Sequence, residues 1–110
     1  MTHRLLMVSR MDPQNAEKVA RIFAEHDDTE LPRQIGVTAR TLLHYQGLTF
    51  HLIESEADII ANVLTAHQAN PEFGELNEQL RPYLSPIVSE WHDVRDSRAE
   101  EFYHRSWPTG

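Results

Sequence analysis

Apolar and polar positions near the start of the chain follow two different rhythms. Leu5, Met7 and Ser9 alternate with Leu6 and Val8, which predicts a short strand carrying apolar side chains on both faces. Ala16, Val19, Ala20 and Phe23 then recur three and four apart, the spacing of one buried helix face. Asp12 can cap that helix, and Pro13 suits its first turn, where a missing N–H leaves nothing unsatisfied. The stripe predicts a helix to about Asp27. Extended beyond Phe23, however, it lands on His26 and Asp27 rather than on another apolar residue. An ionisable pair stands where the core should continue.

Past the Leu31-Pro32 and Gly36 punctuation, Val37 to Tyr45 and Leu48 to Glu54 are β-rich runs separated by Gln46-Gly47, the pattern of a hairpin with a two-residue turn. Ser55 and Asp58 have the form of a helix start, continued by Ile59, Ile60, Val63 and Leu64. Asn70-Pro71 restarts a helix with Phe73, Leu76 and Leu80 on one face, ending near Pro82. Ser85 to Arg95 fits neither period. From Ala99 to Trp107, Phe102, Tyr103 and Trp107 suggest a last strand.

The order strand, helix, strand, strand, helix, strand predicts an α+β, ferredoxin-like βαββαβ fold, an antiparallel sheet with its helices on one face. In the second strand Val37, Ala39, Leu43 and Tyr45 lie on one side and Leu42 on the other. The helices cover one face. A second copy of the sheet is the simplest cover for the other, so a homodimer, a dimeric α/β barrel, is expected.

Pairing outward from a two-residue turn sets Tyr45 opposite Leu48, Leu42 opposite His51 and Arg40 opposite Ile53. Arg40 and His51 then share a face as diagonal neighbours, roughly 7–8 Å apart at the backbone and within reach of one ligand. If the first helix packs on that face, His26 and Asp27 join them. Charges that face one another around a pocket are less unfavourable to bury than one alone, so the stripe would stop because a cavity starts. A helix-terminal His26, an outward Arg40 and a satisfied core His51 fit the same residues.

Composition narrows the setting. At 110 residues and 40% hydrophobic content, the chain is expected to form a single domain over residues 1–110. Ten Lys and Arg against seventeen Asp and Glu give a net charge of −7, which disfavours phosphate backbones, and no basic run interleaved with aromatics marks a nucleic-acid surface. No stretch approaches the roughly 20 apolar residues of a membrane span. The absence of Cys suits a reducing cytoplasm, and no His pair stands at metal-ligand spacing. No nucleophile elbow, phosphate-cradling glycine loop or dinucleotide fingerprint occurs.

The stretches LLMVSRMDP, FAEHDDTELPRQIGV, FHLIE and VRDSRAEEFYHRSW resemble the tetracenomycin-type aromatic polyketide cyclase family over essentially the whole chain. The AEHD-x-TELP-x-x-IGV run together with HLIE makes the resemblance specific. It implies a small, cofactor-independent, dimeric ferredoxin-like enzyme that closes a ring on a partly cyclised polyketide, with other proteins of the synthase pathway as candidate partners. It also implies that His26, Asp27, Arg40 and His51 line the active site, since these residues occupy the family's positions. An intramolecular aldol needs a base near neutral pKa and a cation or acid for the receiving carbonyl. On this reading His51 and His26 share proton removal and delivery, Arg40 stabilises the enolate or binds a carbonyl, and Asp27 orients a His or Arg. The alternatives are a cofactorless quinone-forming monooxygenase and a non-enzymatic polyketide-binding protein.

Overall fold

The computed structural model describes residues 3–34, 36–56, 71–91 and 94–108. Strand β1 (His3–Arg10) leads through a 3-10 turn (Pro13–Asn15) into helix α1 (Ala16–Asp27), followed by the short α2 (Leu31–Gln34), β2 (Val37–Tyr45), β3 (Leu48–Ser55) and α3 (Pro71–Leu80). The expected helix start holds with one refinement. Asp12 is extended and its side chain accepts from the Gln14 N–H at 2.9 Å, but the first turn it caps is 3-10, and regular helix begins at Ala16. At the other end the Asp28 and Thr29 N–H groups close on the carbonyls of Ala24 and His26.

The three strands form one antiparallel sheet in the order β1-β3-β2. Gln46 and Gly47 have φ of 47° and 79°, and positive φ at both central residues is what a two-residue hairpin turn of the right twist requires. Tyr45 therefore pairs with Leu48, Leu42 with His51 and Arg40 with Ile53, the expected register. An irregularity between Val37 and Ala39 alters only the far end of β2. One sheet face thus carries Leu5, Met7 and Ser9, then Ile53, His51 and Thr49, then Arg40, Leu42 and His44.

Helices α1 and α3 cover that face. Val19 and Phe23 from α1, Leu76 and Leu80 from α3 and Met11 form the buried core, with Leu42 packed against it from the sheet. Each fully buried side chain of this size contributes about 1.5–3 kcal/mol. The opposite face presents Leu6, Val8, Leu43, Tyr45, Phe50 and Leu52, of which Leu43 and Tyr45 are 52% and 63% exposed.

The expected last strand is corrected by the structure. After a 3-10 turn at Val94–Ser97, the backbone meets β1 through one bridge, Met7 with Arg98, and one bond from the Ala99 N–H to the Leu6 carbonyl at 2.7 Å, and the Arg4 side chain reaches Glu101 at 3.0 Å and His104. Residues 99–107 then run without regular structure, with Phe102, Tyr103 and Trp107 exposed. β1 is an edge strand and lies beside them, yet the pairing stops after one bridge, so aromatic content alone does not make a ladder. Ser85 exchanges two backbone bonds with Arg10, so even the unclassified stretch holds the β1 edge at one point. The helix expected from Ser55 and Asp58 through Leu64 falls largely outside the described residues.

Candidate active site

The two patterns read from the sequence meet in space. Phe23 and Asp27 stand four apart on α1, so both face the sheet side of the helix. Arg40 rises from β2 beneath them. Its Nε donates to both carboxylate oxygens of Asp27 at 3.0 Å, and its Nη2 lies 2.9 Å from Oδ1. This fork-on-carboxylate pairing fixes the plane of the guanidinium as well as its position. The Arg40 side chain is 11% exposed against 38% for Asp27, so the carboxylate faces water and the cation faces inward.

The remaining guanidinium nitrogen, Nη1, reaches His51 Nε2 at 2.7 Å. Burial, and after it the Arg40 charge, pushes the His51 pKa from its ordinary 6.5 down to about 3. The imidazole is therefore neutral at physiological pH. Phe23 supports both groups: the Arg40 guanidinium carbon sits 4.8 Å from its ring centroid, and the His51 ring lies 4.9 Å away, tilted by 58°. The sequence reading placed Phe23 in the core stripe and gave it no part in the site. Its signal was the four-residue step to Asp27, which sets the aromatic ring and the carboxylate on one helix face.

His26 sits half-buried in the last turn of α1, its carbonyl accepting from the N–H and the hydroxyl of Thr29 at 3.0 and 2.6 Å. The structure thus joins Asp27, Arg40 and His51 in one line of contacts and sets His26 beside Asp27 at the helix end. Further along the same sheet face, Thr49 is buried, and its hydroxyl oxygen has no partner among the described residues. Among the described residues, no group of three or more His, Asp or Glu gathers to hold a metal ion, and no helix is long and apolar enough to cross a membrane.

An anchored guanidinium beside a neutral imidazole, held between a helix and an antiparallel sheet, can offer hydrogen-bond donors to carbonyl and enolate oxygens, the equipment that carbonyl chemistry needs. Residues 3–107 match the polyketide synthesis cyclase family, and the chain belongs to that family. It is 49% identical over 107 residues to tetracenomycin F2 cyclase of Streptomyces glaucescens, covering 97% of this chain and 95% of that protein. It is also 36% identical over 106 residues to polyketide synthase CurG of Streptomyces cyaneus, covering 93% and 95% of the two chains. The solved structure of tetracenomycin F2 cyclase, a type-II polyketide cyclase, superposes with a TM-score of 0.90 at 47% identity, covering 96% of this chain and 99% of that one. A structure from Chloroflexus aurantiacus described as an antibiotic biosynthesis monooxygenase superposes at 0.54 with 10% identity, over 86% of this chain and 99% of that one, a likeness of fold alone. The chain is a polyketide cyclase with a ferredoxin-like fold.

Proposed function

We propose that the protein closes a ring on a partly cyclised aromatic polyketide by intramolecular aldol addition followed by loss of water, without a cofactor. The observation that carries this reading is the Asp27–Arg40–His51 line, which sets a cation and an imidazole side by side under the helix-covered face of the sheet. Methylenes between two carbonyls are acidic enough for a side-chain base, and the enolate and alkoxide oxygens that follow need donors fixed in advance. Arg40 serves those oxygens and Asp27 holds Arg40 in place. His26 and His51 divide the proton and oxygen sides of the reaction between them. Holding a flexible polyketide in one reactive conformer adds to this.

The enzyme works as a single cytoplasmic domain and as a homodimer. The apolar, uncovered sheet face that carries Leu43, Tyr45 and Phe50 is the contact surface. Tetracenomycin F2, which names the 49% identical relative, is the first substrate to try. Incubation with wild type and with Arg40→Gln, in air and without oxygen, tests the reading. Formation of a product one water lighter, equally fast in both atmospheres and slowed in the variant, is expected. Turnover that requires oxygen would mark a monooxygenase instead, and binding without turnover would mark a polyketide-binding protein.

A further inference from the structure

The contact between Arg40 and His51 has a direction. A guanidinium has donors only and keeps its proton at any pH the protein meets, so the ring nitrogen 2.7 Å from Nη1 accepts. His51 Nε2 is therefore an occupied lone pair, and the single hydrogen of the neutral ring sits on Nδ1. The contacts described for His51 run through Nε2 and the face of the ring, which leaves Nδ1–H for a ligand. We propose that His51 is not the base of the reaction but a neutral hydrogen-bond donor, whose Nδ1–H holds the oxygen of the carbonyl under attack.

The charged and titratable groups around the ring agree with that assignment. From β2 comes Arg40, from α1 come Asp27, through Arg40, and the neighbouring His26, and from β1 the residue opposite is Met7, which does not titrate. Asp27 is committed to the back of the guanidinium by three contacts, which leaves Nη1 aimed at Nε2. A cation drawing on the Nε2 lone pair makes Nδ1–H a better donor, and Phe23 holds the two planes in place. A neutral imidazole with a lowered pKa suits the polarising of a carbonyl and makes a weak base.

The step balances without proton transfer from His51. A base, for which His26 at the adjoining helix end is the candidate, takes a proton from a methylene carbon flanked by carbonyls. The electron pair left on that carbon forms the new C–C bond at a second carbonyl carbon. The π pair of that carbonyl becomes a lone pair on its oxygen, which Nδ1–H binds most tightly when it is charged. The oxygen then receives the proton held by the base, and His51 keeps its own throughout.

This proposal rests on the cyclase reading, so its test has one arm that needs no turnover. Nitrogen-15 NMR of the imidazoles in wild-type protein should show His51 neutral, with hydrogen on Nδ1 and a bare Nε2, between pH 5 and 8. A ring protonated on Nε2, or cationic at pH 6, overturns the proposal. The second arm compares His51→Asn, whose amide N–H stands near the Nδ1 position, with His51→Ala on tetracenomycin F2. For a donor, His51→Ala loses about 10²–10³-fold in kcat while His51→Asn stays within about tenfold of wild type. Equal loss in two folded variants, or an acid limb in kcat/KM that disappears in His51→Asn, identifies a base and overturns the proposal. A wild type that turns over none of this substrate counts against the cyclase reading, and takes the catalytic part of the assignment with it even where the NMR result holds.

Discussion

The two faces of this small sheet each depart from the usual arrangement. The face under the helices carries a guanidinium, an imidazole and an unpartnered Thr49 hydroxyl, whereas the open face carries Leu43, Tyr45 and Phe50. Polar groups go inside a protein only where other polar groups or a ligand meet them, and large apolar side chains stay in water only where something else covers them. On the proposed reading the buried face is polar because it serves the ring closure, and the open face is apolar because a second copy covers it.

Breaking the buried face should have the largest effect. Arg40→Gln keeps a donor but loses both the charge and the fork, and it is expected to lower kcat/KM on tetracenomycin F2 by about 10²–10³-fold. Arg40→Lys keeps the charge without the planar geometry and falls between that variant and wild type. His3→Ala, at the exposed start of β1, stays at the wild-type rate. Circular dichroism on each variant separates catalysis from folding, because removing one partner of a buried polar pair also destabilises by about 1–3 kcal/mol.

The open face is sharpened by charge. Leu43→Glu with Tyr45→Glu sets two carboxylates in the proposed dimer contact, and sedimentation at micromolar concentration should shift from dimer to monomer. Wild type sedimenting as a monomer would remove the explanation of this face altogether. Next in size is the effect of pH on stability. The His51 pKa is lower in the folded chain than in the unfolded one, so the unfolded state binds the extra proton below pH 6.5. The contribution of His51 is complete above about pH 6.5 and declines as the pH falls towards 3, by at most about 1.4 kcal/mol per unit. Urea unfolding from pH 7 to 4 should show this slope in wild type and lack it in His51→Asn.

The smallest effect belongs to Thr49. Thr49→Val replaces an unpartnered hydroxyl by a methyl group of the same shape, and thermal unfolding should show it neutral or stabilised by up to about 1 kcal/mol. A loss of 2 kcal/mol or more would mean that the hydroxyl is satisfied in solution, and that the buried face is less polar in its demands than Arg40 and His51 suggest.

The sequence by itself determined the features that depend on neighbours along the chain. A two-residue turn and a period of two are short-range properties, so the register that sets Arg40 beside His51 was countable from Gln46-Gly47 outward. The three-and-four spacing likewise placed Asp27 on the face of α1 that meets them. The tertiary structure alone decided which atoms face each other. Phe23 as the support of two site groups, Nε2 rather than Nδ1 as the acceptor, and the burial that keeps His51 neutral follow from how a helix lies on a sheet. The end of the chain shows the same limit. Phe102, Tyr103 and Trp107 have the composition of a strand and the edge of β1 lies beside them, but the pairing of Met7 with Arg98, almost the whole chain apart, stops after one bridge. Local periodicity is written in the order of residues; pairing between distant segments depends on which surfaces the folded chain leaves free.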